Sequence, residues 1–265
     1  MSQTEKAISL SQVKKNYGDF SALKGIDLEV SPGEFFGFIG PNGAGKTTLI
    51  RIIVGIIKPT SGIITVCGYD NLSSSSMAKR LTGYIPDRPY LYEKLTPIEY
   101  FDFISGLYSV SKERKLKVGE EMLKMFNLWD WRNELIEGFS HGMKQKVAMS
   151  AAMLHDPEVL VIDEPMVGLD PRSVKVVKDF LKDLTKKGKS IFFTTHTLSI
   201  AEDLCDRIGI INHGQVVALG TMDELKKHLK SGDSDLESIF LKITEEEEIG
   251  GELVPELAPK DSDEF

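Results

Sequence analysis

Short apolar runs alternate along this chain with longer stretches of helical periodicity. Runs rich in β-branched and aromatic residues predict buried strands at 35–39, 159–162, 190–194 and 207–212. Apolar residues at helical spacing predict helices at 47–57, at about 172–187 and at 197–205. Because strands and helices alternate, the pattern favours a mainly parallel sheet with helices on its faces.

Two regions depart from this alternation. Residues 7–34 carry short alternating runs separated by turn residues, which predicts an antiparallel β layer in the N-terminal part. Residues at about 88–150 show helical patterns with almost no strand signal, and Thr96–Glu99 combines an N-cap, a proline and an acid at a helix start. We therefore predict a helical insertion at about 88–150 within one domain that spans 5–230.

The C-terminal part has a different composition. We predict a helix at 231–244 and an acidic, disordered tail at 245–265. The tail contains nine acidic residues and one lysine, so it accounts for the whole net charge of −8. Residues 1–244 are therefore close to neutral. A neutral domain lacks the basic surface that nucleic-acid backbones require, and we expect no nucleic-acid partner.

Features of secretion and membrane insertion are missing from the sequence. No apolar run approaches the roughly 20 residues that a membrane span needs, and the first residues lack the apolar core of a secretory signal. Cys67 and Cys205 lie far apart and predict reduced core thiols. We expect a cytoplasmic protein that reaches a membrane only through a partner or a surface contact.

A glycine-rich segment directly follows the first strand predicted for the parallel sheet. Residues Gly40–Thr47, the phosphate loop, match G-x-x-x-x-G-K-[ST] at every fixed position and precede a predicted helix. Glycines let successive N–H groups point at phosphate oxygens, and the helix N-terminus adds positive charge. Lys46 supplies a cation for the phosphates, and the Thr47 hydroxyl is placed to ligate Mg²⁺. The segment predicts a nucleoside triphosphate site, without identifying the class of enzyme.

Two consecutive acids end the strand predicted at 159–162. Asp163 is placed to hold Mg²⁺ through its water shell. Glu164 points in a different direction, because neighbouring strand residues alternate, and is placed to take a proton from an attacking water. Such acids can also be solvated loop residues, but the phosphate loop favours the catalytic interpretation. The predicted fold is α/β: a P-loop NTPase with a mainly parallel sheet, an N-terminal antiparallel β subdomain and an inserted α-helical subdomain.

Several short motifs in a fixed order resemble the nucleotide-binding subunits of ABC transporters over most of residues 5–230. The signature of that family, usually Leu-Ser-Gly-Gly-Gln, corresponds here to residues 139–143, where Ser140 and Gly142 match and the other three positions differ. Gly168-Leu169-Asp170 matches the family's D-loop, and Thr195-His196-Thr197 matches its switch histidine. No single motif is specific, but the ordered set is.

The resemblance implies a role for each matching residue. Glu164 and His196 would be catalytic, and Asp170 would lie at a dimer interface. Ser140 and Gly142 would bind the ATP that a second subunit holds. The residues implied to bind ATP within the chain are Tyr17, Gly40, Pro41, Asn42, Gly43, Ala44, Gly45, Lys46, Thr47 and Thr48. The implied Mg²⁺ ligands are Thr47, Asp163 and Asp87.

Asp87 departs from the family pattern, because a glutamine usually stands at this position. The aspartate keeps an oxygen ligand but is charged and one methylene shorter than glutamine. A direct contact with Mg²⁺ is therefore an open question at the level of sequence, since Asp87 could reach the metal through water or pair with Arg88 instead.

The resemblance also implies partners. It predicts an ATP-binding and ATP-hydrolysing subunit that uses Mg²⁺, pairs with a second ATPase subunit (itself or a close paralogue), and drives a separate transmembrane permease from the inner face of the cell membrane. The run Ser-His-Gly-Met-Lys-Gln and residues 235–241 are similar to ATPases of bacterial exporters, so we expect export, with import left open. The alternatives are a soluble ABC-type ATPase acting on the ribosome or nucleic acid, and a nucleotide-binding regulator without hydrolysis, against which Glu164 and His196 argue.

Overall fold

The computed structural model describes residues 6–228, 236–238, 240 and 241. Its strands are β1 (Ile8–Tyr17), β2 (Phe20–Val30), β3 (Phe35–Ile39), β4 (Ser61–Val66), β5 (Tyr69–Asp70), β6 (Thr82–Ile85), β7 (Val159–Asp163), β8 (Ser190–Thr194), β9 (Arg207–Asn212) and β10 (Gln215–Gly220). Its α-helices are α1 (Lys46–Ile53), α2 (Ser75–Arg80), α3 (Pro97–Tyr108), α4 (Lys112–Met125), α5 (His141–Ala152), α6 (Pro171–Lys186), α7 (Leu198–Leu204) and α8 (Met222–His228).

The larger sheet is mainly parallel. Its order is β10-β9-β3-β8-β7-β6, and every neighbouring pair from β9 to β6 is parallel, whereas β10 pairs antiparallel with β9 at one edge. Every residue of β3, β7 and β8 is buried, which explains why these strands are continuous apolar runs in the sequence. The carboxyl ends of the parallel strands lie at one edge of the sheet, where α/β folds bind ligands.

The smaller sheet is antiparallel, with the order β2-β1-β4-β5. It confirms the β layer predicted at 7–34 and extends it with β4 and β5. Sequence patterns did not indicate these two strands, because β4 has six residues with two buried positions and β5 has two residues.

Neighbouring phenylalanines on the central strands connect the layers of the fold. Phe35 and Phe193 face the core shared with the helical insertion, and their rings meet edge to face with centroids 5.7 Å apart. Phe36 and Phe192 point to the opposite side, into the core between the two sheets, where α1 also packs. This alternation packs the central sheet on both faces, so the loops at its edge start from a rigid base.

The helical insertion lies between β6 and β7 and contains α3, α4 and α5. The start of α3 carries the predicted cap: the Thr96 hydroxyl accepts a hydrogen bond from the Glu99 N–H, and the Glu99 carboxylate accepts one from the Thr96 N–H at 2.8 Å. The inserted helical subdomain of the predicted fold is therefore confirmed, while the exact limits at 88 and 150 stay a prediction.

The helix predicted at 47–57 ends at Ile53, because Gly55 adopts φ +70° and terminates it in the left-handed conformation. Of the helix predicted at 231–244, residues 236–238, 240 and 241 are helical, and the remaining positions lie outside the described residues, as does the acidic tail at 245–265. Among the described residues, no helix combines the length and apolar character required to cross a bilayer.

Candidate functional site

A cleft of about 480 Å³ opens where β3, β6, β7 and β8 end, a size typical of sites for small ligands. The structure brings together most of the residues predicted to bind ATP or Mg²⁺ or to act in catalysis. Those that line the cleft are Tyr17, Asn42, Gly43, Gly45, Lys46, Thr47, Thr48, Asp87, Asp163, Glu164 and His196. Phe20, Ala22 and Val167 line it as well and were not singled out from the sequence.

Glycine is required at two positions of the phosphate loop. A Cβ at Gly40 would lie 2.3 Å from the carbonyl oxygen of Ile211 on β9, so only glycine lets the chain leave β3 beside that strand. Gly45 adopts φ +116°, and a Cβ there would lie 2.9 Å from the carbonyl oxygen of Ala22. The loop is therefore held against the sheet by backbone contacts that a larger residue would break.

Lys46 is the cation of the cleft. It is 8% exposed, and its Nζ donates hydrogen bonds to the carbonyl oxygens of Gly40 (2.6 Å) and Pro41 (3.0 Å). Burial lowers the pKa of Lys46, while the negative charges of Glu164 and Asp163 act in the opposite direction. Gly40, Pro41 and Ala44, which were also predicted to bind ATP, are not among the residues that line the cleft.

Asp163 is a buried carboxylate at the end of β7, with 4% of its surface exposed. Its Oδ1 accepts a hydrogen bond from the Thr194 hydroxyl at 2.6 Å, and its Oδ2 lies 3.5 Å from the Thr47 hydroxyl. Burial raises the pKa of Asp163, and the neighbouring charges of Glu164 and Asp87 add to this. Thr194, which the sequence reasoning missed, fixes the orientation of this carboxylate.

The oxygen groups around Asp163 fit a hard cation held together with a nucleotide. Among the described residues, no group of three or more His, Cys, Asp or Glu side chains is arranged to hold a metal ion by itself. Mg²⁺ commonly uses one or two carboxylates and completes its shell with phosphate oxygens and water. The Asp163 carboxylate and the Thr47 hydroxyl match this pattern. Asp87 borders the same cleft, and in the described structure no ion pair joins it to Arg88.

Glu164 and His196 form a pair beside the phosphate loop, with Glu164 Oε2 2.9 Å from His196 Nδ1. Glu164 adopts φ +48°, a left-handed conformation that costs about 1–3 kcal/mol in a residue other than glycine. The His196 side chain is 61% exposed, so the imidazole can contact a ligand while it orients the carboxylate. The pair has the geometry of a general base and its orienting group.

Two exposed aromatic rings border the outer end of the cleft. Tyr17 and Phe20 face each other across the turn between β1 and β2 and are 49% and 65% exposed. The Lys15 ammonium lies 5.1 Å from the centre of the Tyr17 ring. Exposed rings at the edge of a polar cleft can stack on a nucleotide base. Phe20 could have been found from its place directly across a two-residue turn from Tyr17.

Ser140 and Gly142 do not line the cleft of their own chain. Ser140 is exposed and caps α5, where its hydroxyl accepts a hydrogen bond from the Met143 N–H at 3.3 Å. Gly142 packs closely on the D-loop, since a Cβ there would lie 3.1 Å from Leu169. An exposed, capped helix start is available to an anion from outside the chain. The predicted contact with the ATP of a second subunit stays a prediction.

Asp170 also lies outside the cleft, at the start of α6. Its carboxylate accepts hydrogen bonds from the Ser173 hydroxyl and, at 3.1 Å, from the Ser173 N–H. Both bonds lower the pKa of Asp170, and the bond from the hydroxyl has the larger effect. Asp170 is therefore an N-cap in this chain, and its predicted place at a dimer interface stays a prediction.

We expect Asp163→Asn to raise the melting temperature of the nucleotide-free chain near neutral pH. Folding raises the pKa of the Asp163 carboxyl, so its contribution to stability is fully present below the unfolded pKa and is lost as the pH rises through the folded pKa. Near neutral pH the buried carboxylate therefore lowers the free energy of unfolding. The amide cannot ionise, so the gain should shrink as the pH falls towards about 4. Each kcal/mol gained should appear as about 2–4 °C in a thermal melt.

Asp203→Asn is the control for this stability prediction. Lys178 and Lys182 lower the pKa of Asp203 through hydrogen bonds, so its replacement should lower the melting temperature or leave it unchanged. A gain for Asp163→Asn that increased towards low pH would contradict the assignment of a buried, charged carboxylate.

The fold and the cleft define a P-loop ATPase, and comparisons with known proteins identify its family. The family model described as ABC transporter matches residues 23–167. The linearmycin resistance ATP-binding protein LnrL of Bacillus subtilis is 37% identical over 238 residues, which cover 90% of this chain and 76% of that protein. The chain belongs to the ABC transporter family, as an ATP-binding subunit.

Solved structures agree with this assignment. The structure of an ATP-binding subunit of an ABC transporter superposes with a TM-score of 0.86 at 31% identity, covering 89% of this chain and 99% of that one. A dimeric ATP-binding cassette in a post-hydrolysis state with ADP and Pi gives a TM-score of 0.75 at 27% identity, covering 81% and 98%. The predicted fold class and the predicted ATPase activity are confirmed.

Proposed function

We propose that this chain hydrolyses MgATP at a composite site formed with a second ATPase subunit, a copy of itself or a close paralogue. The observation that carries this proposal is the Glu164–His196 pair, 2.9 Å apart, in the same cleft as Lys46. Ser140, exposed at the tip of α5, supplies the matching surface for a nucleotide held by the partner. Dimers are typical of this family.

Each side chain of the cleft has a distinct task in hydrolysis. Lys46 and the amides of the phosphate loop bind and orient the phosphates. Asp163 and Thr47 would hold Mg²⁺, which supplies positive charge at the phosphate oxygens when it is bound. Glu164 accepts a proton from the attacking water, and His196 keeps its carboxylate in place and contacts the terminal phosphate. Tyr17 stacks on the base.

The proposed membrane partner is a separate permease at the inner face of the cell membrane. A groove of about 230 Å³ between β6 and the helical insertion offers a docking surface. Its walls are mainly aromatic and aliphatic, and the most exposed of them, Tyr90, has 89% of its surface accessible. Large exposed aromatic surfaces are typical of protein interfaces. The resistance function in the name of LnrL supports export as the direction of transport.

Membrane retention tests this proposal. We expect the chain, co-expressed with a polytopic permease encoded beside it, to sediment with membranes and to remain bound to the permease in detergent. Tyr90→Asp should reduce the retained fraction about tenfold, because it places a charge in the centre of an apolar contact. Leu116→Asp is the matched control, because Leu116 is 55% exposed on α4 outside the groove. Equal retention of both variants would exclude this groove as the docking surface.

A further inference from the structure

A buried amide on α5 has no obvious packing reason to be polar. Gln145 is 1% exposed, and its Nε2 donates a hydrogen bond to the carbonyl oxygen of Pro86 at 3.1 Å. Its Oε1 is buried and has no hydrogen-bond partner among the described residues. An apolar side chain of similar size would avoid the unsatisfied Oε1, but it would take this donor away from the Pro86 carbonyl. The bond to Pro86 therefore needs an explanation.

The acceptor of this bond lies next to the nucleotide cleft. Pro86 directly follows β6, and the next residue, Asp87, lines the cleft. The Pro86 carbonyl shares a planar peptide unit with the Asp87 N and Cα atoms, so few torsions separate the direction of the held carbonyl from the position of the Asp87 carboxylate. A bond at Pro86 thus limits where the Asp87 carboxylate can lie.

The loop that contains Asp87 is held at both ends by consecutive residues of one helix. Gln145 holds Pro86, and the Lys144 ammonium lies 2.6 Å from the Glu93 carboxylate. The same helix carries Ser140 as its N-cap. Residues 86–93, the loop between these two contacts, are thereby linked to the helix tip that offers Ser140 to a second subunit.

We propose that Gln145 is a positioning residue that ties the place of Asp87 in the nucleotide cleft to α5. A movement of α5, as when its tip meets a second subunit, carries Pro86 and Asp87 with it. Gln145 touches neither nucleotide nor metal; it acts through Pro86. This inference rests on the proposed function, in which MgATP occupies the cleft that Asp87 lines.

The test replaces the amide and measures nucleotide binding in the full chain. Gln145→Met keeps the length and removes the donor, and Gln145→Asn keeps the amide but shortens its reach. With a fluorescent ATP analogue, both variants should bind without Mg²⁺ within about twofold of the unmodified chain. The Mg²⁺ concentration needed for half-maximal tight binding should rise about tenfold. The reason is that the Asp87 carboxylate would be displaced from its position in the cleft. Hydrogen–deuterium exchange of residues 87–95 should rise in parallel.

Ser150→Ala is the control. Ser150 is fully buried in the same helix, and its hydroxyl donates only to the Lys146 carbonyl, so this variant perturbs α5 without touching the 86–93 loop. The inference is overturned if the Gln145 variants keep the Mg²⁺ dependence of the unmodified chain, or if Ser150→Ala shifts it equally. If the unmodified chain binds no nucleotide, the proposed function itself fails, which is a separate result.

Discussion

Lys46→Ala should bind ATP at least about 100-fold more weakly than the unmodified chain, since a charge-assisted bond to phosphate contributes roughly 1.5–3 kcal/mol and the Lys46 ammonium has three N–H donors to offer. Among the described residues that line the cleft, Lys46 is the only lysine or arginine, whereas Asp87, Asp163 and Glu164 all contribute negative charge. Without Lys46, the phosphates would meet three carboxylates and no lysine or arginine among these lining residues. Isothermal titration calorimetry measures the loss directly.

Lys46→Met separates the charge of this side chain from its shape. The Lys46 ammonium also holds the carbonyl oxygens of Gly40 and Pro41, so its removal could loosen the loop as well as remove the charge. The methionine fills the same space, and thermal melts of both variants report on folding. Lys175→Ala, on the exposed face of α6, is the matched control and should bind normally. Unchanged affinity in a folded Lys46→Met variant would refute the nucleotide site.

The central fold could be predicted because its signals are local. Strands β3, β7 and β8 are buried on both faces and therefore leave continuous apolar runs in the sequence. The phosphate loop follows one such run and is recognised by the spacing of its own glycines, lysine and threonine. The cap at Thr96 is likewise complete within four residues. Where a few neighbouring residues determine the local structure, the sequence was sufficient to predict it.

Strand β6 was not predicted, because the residues that determine its structure lie far away in the chain. It has four residues, and one of them, Gly83, carries no side chain to give a pattern. A Cβ at Gly83 would lie 2.9 Å from Pro157, which comes 74 positions later and brings the chain into β7. Such a constraint is visible only once β6 and β7 are paired.

The finer geometry of the site likewise depends on strand pairing. Thr194 bonds to Asp163 because β7 and β8 pair in parallel with these two residues opposite each other. The same pairing brings His196 to Glu164, and the left-handed turn at Glu164 sets the direction of its carboxylate. Motifs indicated which residues take part, but neither the hydrogen bond from Thr194 nor the backbone strain at Glu164 has a signal in the sequence.

The second large effect is expected for Glu164→Gln, which should still bind ATP while its turnover falls by about 10²–10⁴. The glutamine keeps the size of the side chain and its contact with His196, but it cannot accept a proton from water. The nucleotide would therefore stay intact between two subunits, and size-exclusion chromatography with light scattering in MgATP should show a stable dimer. Glu158→Gln, at the other end of β7 and paired with Lys189, is the control and should remain active.

Adding Ser140→Ala to Glu164→Gln tests whether that dimer depends on the tip of α5. Ser140 does not line the cleft of its own chain, so its loss should leave ATP binding to a single chain within about twofold. The trapped dimer should nevertheless weaken at least about tenfold, because the hydroxyl and the helix N-terminus would no longer present the same surface to the partner's phosphates. A double variant that dimerises as well as Glu164→Gln, or a single Glu164→Gln variant that remains monomeric with normal turnover, would show that the two chains do not complete each other's site in this way.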